Sequence, residues 1–224
     1  MRQIILDTET TGLSTTDNHR IIEIGCIELV NRKFTGKRYH QYINPERPVD
    51  DGAFAVHGLS NQFLSDKPIF SAVVQEFMDF IQGADLIIHN APFDVGFINY
   101  EFSLVKKKWR TIEDHCRVID TLALARQLHV GQRNNLDALC KRYKIDNSTR
   151  ELHGALLDAH LLAQVYLAMT GGQGSLFDEL TLPRKQEPVL QPIGSVTKKS
   201  RKLVVIKATS EEQLEHEKKL EELS

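Results

Sequence analysis

Two carboxylates, Asp7 and Glu9, stand two residues apart at the end of the apolar run Ile4-Ile5-Leu6 of this 224-residue chain. Strand side chains alternate with period two, so both point the same way. Ionised carboxylates side by side repel unless a hard cation lies between them, and an oxygen-rich site suits Mg²⁺ or Mn²⁺. Glu9 would serve equally well as solvated polarity in a turn, so the pair needs further partners before it defines a site.

Two later segments offer them. His89-Asn90-Ala91-Pro92-Phe93-Asp94 follows the apolar run Leu86-Ile87-Ile88, which places Asp94 in the first turn of a helix beside a strand end, where sheet-centred sites lie. An Asp there is also favoured by the helix dipole alone, and Asn90 can be a simple turn former. His153-Gly154-Ala155-Leu156-Leu157-Asp158 opens an apolar helix containing Leu161, Leu162 and Val165. Positions five apart on a helix are separated by roughly 140° around its axis, so His153 should sit at the helix start rather than within it. Asp158 can then face a metal while His153, on a more mobile segment, reaches a water held there as general base.

The elements that must position these groups follow from periodicity. Ile21 to Val30 reads as a strand, Asn31-Arg32-Lys33 as a hairpin turn, and Phe34 to Ile43 as the returning strand, ended by Asn44-Pro45 because proline cannot donate to a ladder. With the opening run this makes a three-stranded antiparallel meander. Phe70, Val73, Val74, Phe77, Met78 and Ile81 recur at helical spacing, and Gly83 stops them before the strand Leu86 to Ile88. Phe93 to Lys107 reads as a helix and Val118-Ile119 as a short strand; Leu122 to Leu128, Asn135 to Tyr143 and Gly154 to Met169 read as helices. A meander followed by crossovers is a mixed α/β sheet.

Bulk properties limit the alternatives. A 41% hydrophobic fraction suits a packed core. The sequence has neither a signal-peptide succession nor an apolar run long enough to span a bilayer, so a cytoplasmic protein without membrane contact is expected. Cys26, Cys116 and Cys140 have no paired spacing and read as buried thiols, leaving oxygen to hold any metal. A net charge of −2 gives no global attraction to nucleic acid. The run Lys106-Lys107-Lys108-Trp109-Arg110 could guide phosphates, but cations at a helix C-terminus are favoured anyway.

In order, Asp7-x-Glu9, Asn90-x-x-Phe93-Asp94 and His153-x-x-x-x-Asp158 resemble the three motifs of the DEDD exonuclease superfamily, histidine subclass. Asp-Thr-Glu-Thr-Thr-Gly at 7–12, Val56-His57-Gly58 and Asn135-Leu136-Asp137-Ala138-Leu139 are further similar to the proofreading epsilon subunits of bacterial DNA polymerase III, a likeness covering most of the chain and extending into its tail. The resemblance implies a ribonuclease H-like α/β fold, with a mixed sheet and flanking helices followed by an extended C-terminal tail. It also implies a metal-dependent 3′→5′ exonuclease acting on DNA 3′ ends. Two divalent ions, Mg²⁺ or Mn²⁺, would be held by Asp7 as the bridging ligand, Glu9 and Asp158 on the ion carrying the attacking water, and Asp94 on the second, with His153 as the base. Asp7, Glu9, Thr10, His57 and Asp158 would contact the substrate; His57 as a buried helix-start residue is the plainer alternative. Family members often carry an acidic residue shortly before this histidine, where Asp51-Gly52-Ala53 stands here, so no side-chain contact is assigned at Gly52.

The composition changes near Gly171, which divides the chain into an exonuclease domain (1–171), a flexible linker (172–200) and a polymerase-binding segment (201–224). In the linker, Gln173-Gly174-Ser175-Leu176-Phe177 resembles the peptides that enter a hydrophobic pocket of the sliding clamp, with Gln173, Leu176 and Phe177 as anchors. The last segment has too little apolar surface to fold alone, which points to ordering on a partner, in this family the polymerase subunit. A small accessory subunit is a further possible partner. Two rival readings are a free-standing RNA-trimming exonuclease of the same superfamily and a non-catalytic scaffold between polymerase and clamp.

Overall fold

The computed structural model describes residues 1–105, 109–148, 150 and 152–171. Lys106 to Lys108, the peptide from Gln173 to Phe177, and the segments 172–200 and 201–224 lie outside the described residues. No helix among the described residues is long and apolar enough to cross a membrane.

Three antiparallel strands open the fold: β1 (Arg2–Thr10), β2 (Ile21–Val30) and β3 (Lys33–Tyr42). Helices α1 (Asp51–His57), α2 (Asn61–Leu64) and α3 (Phe70–Ile81) lead to β4 (Asp85–Ile88). Helix α4 (Ala91–Leu104) and β5 (Arg117–Asp120) follow, and then α5 (Thr121–Leu128), α6 (Leu136–Tyr143) and α7 (Ala155–Thr170). The sheet order is β3-β2-β1-β4-β5, with β1 antiparallel to β2 and parallel to β4. The expected mixed α/β sheet is present.

Two boundaries differ from the sequence reading. The first strand continues through Asp7 and Glu9 to Thr10, with a register shift between Glu9 and Thr10, so the two carboxylates sit inside a paired strand rather than in a turn beyond it. The hairpin turn is Asn31-Arg32 alone, both with positive φ, and Lys33 already pairs with Val30. Two left-handed residues match the right-handed twist of the strands they join.

Because β1 is the central strand, its two faces are covered by different helices. Ile4 and Leu6 pack with Phe70, Phe77, Phe97 and Ile98 of α3 and α4. Ile5 packs on the opposite side with Leu139 of α6 and with Leu161, Leu162 and Val165 of α7. Alternation puts Asp7 and Glu9 on the face of Ile5, towards α7, and Thr8 on the face of Leu6, towards α4. The three free cysteines are buried, as expected.

The first turn of α7 closes on the sheet at Gly25 of β2, beside β1. Gly25 pairs with Asp7 in the β1–β2 register, and a Cβ built there would lie 2.3 Å from the backbone of Ala155 and of Leu156. A strand glycine commonly marks such a close backbone approach. Farther along, Gln3 Nε2 donates to the Tyr166 hydroxyl at 2.9 Å, so α7 is held to the sheet at both ends, against β2 at Gly25 and to β1 at Gln3. Gly25→Ala should push the start of α7 off the sheet and lower stability in urea denaturation by about 1–3 kcal/mol, the range for overpacking a filled interior.

Candidate active site

At the carboxyl end of β1 one cavity of about 1040 Å³ is lined by Asp7, Glu9, Thr10, His57, Asp94, His153 and Asp158 among others. The sequence-derived site residues of the domain are therefore brought together. They come from opposite sides of the sheet: Asp158 from α7, which covers Asp7 and Glu9, and Asp94 from the first turn of α4. Strand β4 pairs with β1 only as far as Ile5, so Asp94 occupies space beyond the end of β4. Asn90 turns the chain there in the left-handed region that asparagine tolerates, with its N–H donating to Asp120 Oδ1 at 3.1 Å. Asp94 is then held by Thr8, whose N–H and hydroxyl both donate to Oδ1, at 3.1 and 2.7 Å.

Burial dominates the electrostatics, and charge crowding adds to it. Burial, then Asp94, Glu9 and Asp158, push the Asp7 carboxyl well above the usual range, opposed by Arg150. Burial, then Glu23 beside it in the register, raises Glu9 to about 8. Burial raises Asp94 to about 7 even though Thr8 donates to its charged form. The Arg150 charge does not bring Asp7 and Glu9 back to the usual range, and oxygen donors of Glu9 and Asp158 lie within 4.8 Å of one another and of a His153 ring nitrogen. The donor set fits hard divalent cations.

His153 lies two residues before α7, at the helix start as its spacing requires. Its backbone N–H donates to Val56 carbonyl at 3.1 Å, so the segment is anchored to the end of α1, and the exposed part is the side chain, 45% accessible. Its Nδ1 is 3.7 Å from Asp158 Oδ2. Burial and the nearby Arg150 charge hold its pKa below 6.5, which favours the neutral ring.

His57 is the last residue of α1 rather than a helix-start residue; Nδ1 accepts from the Leu59 N–H at 3.0 Å, and Nε2 is buried without a hydrogen-bond partner. An orphaned ring nitrogen in a cavity wall is a polar atom that a ligand can satisfy. Thr10 donates its hydroxyl proton to the Gly12 carbonyl at 2.7 Å, which shapes the turn and leaves the oxygen as an acceptor.

Sequence reasoning missed three contributors. Thr8 lay inside the first motif and looked like a spacer. Gly25, in the middle of a strand pattern, carried a readable signal of close approach. Arg150, three residues ahead of His153, forks onto Asp158 and meets Asp137 and His153; nothing in its spacing marks those partners.

The raised carboxyl groups give a stability test. In the metal-free fold Glu9 and Asp94 bind protons more tightly than free Glu and Asp side chains, which titrate at 4.5 and 3.8. Their contribution is full below about pH 4 and is lost as pH rises through 7 to 8. Divalent ions bind the deprotonated groups and reverse that loss. The thermal midpoint of metal-free protein should fall between pH 5 and 8.5. Mn²⁺ at about 100 times its Kd should raise it by about 5–10 °C at pH 8, and by less at pH 5.

The family model described as an exonuclease matches residues 4–166. DNA polymerase III subunit epsilon of Escherichia coli K12 is 52% identical over 224 residues, spanning 98% of this chain and 92% of the relative. The subunit of the same name from Haemophilus influenzae is 51% identical, spanning 96% and 88%. Among solved structures, exonuclease X in complex with 5′-overhanging duplex DNA superposes with a TM-score of 0.60 at 26% identity, covering 77% of this chain and 93% of that one. The central strand, the carboxylates it carries and the likeness along nearly the whole length agree: this chain belongs to the exonuclease family, as a member of the DNA polymerase III epsilon subunits.

Proposed function

We propose that the chain is the proofreading 3′→5′ exonuclease of a bacterial DNA polymerase III, removing mispaired nucleotides from DNA 3′ ends. The observation that carries this reading is the group of carboxylates, buried Glu9, Asp94 and Asp158 with half-buried Asp7, beside a half-exposed histidine in one cavity. Asp7, Glu9, Asp94 and Asp158 would hold two divalent ions, and oxygen donors favour Mg²⁺ or Mn²⁺. When bound, such a pair supplies charge stabilisation for the attacking and leaving oxygens of a phosphoryl displacement.

The chain's own groups do the rest. His153 takes the proton of the attacking water, which requires its neutral ring. Thr8 fixes the rotamer of Asp94 with two donors. The orphaned Nε2 of His57 and the hydroxyl oxygen of Thr10 would meet the terminal nucleotide, alongside Asp7, Glu9 and Asp158.

Residues 1–171 form the catalytic unit in this reading. Gln173, Leu176 and Phe177 dock on the sliding clamp, residues 201–224 bind the polymerase subunit, and a small accessory subunit can join the domain. Tethering of this kind raises the effective concentration of the exonuclease at the primer end, which a net charge of −2 would not do. A replication subunit of this kind works in the cytoplasm. Kinship to epsilon subunits along 98% of the chain, tail included, disfavours a free-standing RNA-trimming enzyme, and the complete carboxylate set disfavours a passive scaffold.

His153→Ala should retain Mn²⁺ binding and lower kcat on a 3′-mispaired DNA primer about 10²–10⁴-fold. The wild-type rate at saturating Mg²⁺ should fall on the acid side with a midpoint below 6.5, and that limb should vanish in the variant. Asp7→Ala should lose metal binding and activity together; full activity in it would overturn the mechanism. Truncation after Gly171 should leave mononucleotide release intact and abolish co-purification with the polymerase subunit.

A further inference from the structure

Arg150 sits in the turn between α6 and α7, with its side chain only 7% exposed. Its Nε donates to Asp158 Oδ1 at 2.6 Å and its Nη2 to Asp158 Oδ2 at 2.7 Å. Nη1 donates to Asp137 Oδ1 at 2.8 Å, and Nη2 also lies 3.1 Å from His153 Nδ1. A bidentate fork engages both oxygens that Asp158 has to offer a cation, and a guanidinium does not lose its proton to release them.

The contact with His153 has a second consequence. A guanidinium has donors and no acceptor, so Nδ1 must be the acceptor. A neutral imidazole carries one lone pair and one N–H, which places the proton on Nε2. With the lone pair directed at Arg150 and Nε2 already protonated, the ring has no free position for a proton from water. One side chain therefore occupies both the ligand and the base.

We propose that Arg150 is a positioning residue that latches Asp158 and His153 together, and that a divalent cation entering between the carboxylates displaces it from Asp158 and frees the His153 ring to act as base. This inference rests on the assignment of Asp158 as ligand and His153 as base. The exchange is favoured by charge, because a divalent ion brings two positive charges to Asp158 where the guanidinium brought one. Asp137 supplies the pivot: it is 54% exposed, its Oδ1 also accepts from Asn147 Nδ2 at 3.0 Å, and it can keep the guanidinium after Asp158 is released.

The test compares the full-length wild type with Arg150→Gln, Arg150→Lys and Asp158→Asn. Mn²⁺ binding is measured by calorimetry, and the imidazole ¹⁵N shifts of His153 by NMR, assigned with His153→Gln. Arg150→Gln should bind Mn²⁺ about 10-fold more tightly, because no ion pair has to be broken. Metal-free wild type should show His153 with its proton on Nε2, and that signature should change on adding Mg²⁺ and be absent from Arg150→Gln. Arg150→Lys keeps the charge without the fork, so it should fold like the wild type, bind Mn²⁺ with intermediate affinity and lose the tautomer bias. Unchanged or weaker Mn²⁺ affinity in Arg150→Lys and in folded Arg150→Gln would overturn the latch, as would a His153 tautomer indifferent to Arg150 and Mg²⁺. Undiminished Mn²⁺ binding in Asp158→Asn would instead overturn the ligand assignment, so the two failures are distinguishable.

Discussion

Repulsion among carboxylates in a place with little water is the constraint on which this molecule is built. Asp7 and Glu9 lie on the central strand of the sheet, where burial is greatest, and Asp94 and Asp158 are brought against them from helices on opposite faces. Desolvation and mutual repulsion both disfavour their charged forms, and the raised pKa values of Asp7, Glu9 and Asp94 record that cost. The rest of the fold offsets it. Two apolar clusters, one on each face of β1, hold the sheet and helices together independently of the site. Such an arrangement stores a demand for positive charge, which is what a metal-dependent nuclease needs before substrate arrives.

The site is graded from fixed to adjustable parts. Asp94 is fixed by two donors from Thr8, and Asp158 is fixed in place along β2 by the closeness that Gly25 permits. At the rim, His153 has an anchored backbone and a half-exposed side chain. Arg150 lies between the two classes: buried, charged and held wholly by ion pairs and hydrogen bonds to groups that have other work to do. Fixed carboxylates beside a half-exposed imidazole would suit a reaction in which cations must be placed accurately while a proton has to leave.

The motifs were legible because they follow from local periodicity. Period two put Asp7 and Glu9 on one face, and five-residue spacing on a helix excluded His153 from the helix that carries Asp158; both relations hold in the structure. Where local reading fell short, the missing information came from neighbours distant in sequence. The first strand continues through its acidic residues because β2 offers partners as far as Ile21, which the run Ile4 to Leu6 could not reveal. His57 ends a helix instead of starting one because a short helix precedes it, in a stretch with no clear apolar period.

Residue types and order along the chain were sufficient for the layout of strands and helices and for the acidic character of the centre, since both depend on short-range stereochemistry and on the solvation of individual side chains. The faces of β1 to which Thr8 and Gly25 turn, and the groups against which Arg150 closes, depend on contacts across many intervening residues. Those contacts arise only when two helices pack on opposite sides of one strand, and with them comes the distinction between carboxylates that are merely near one another and a site held ready for cations.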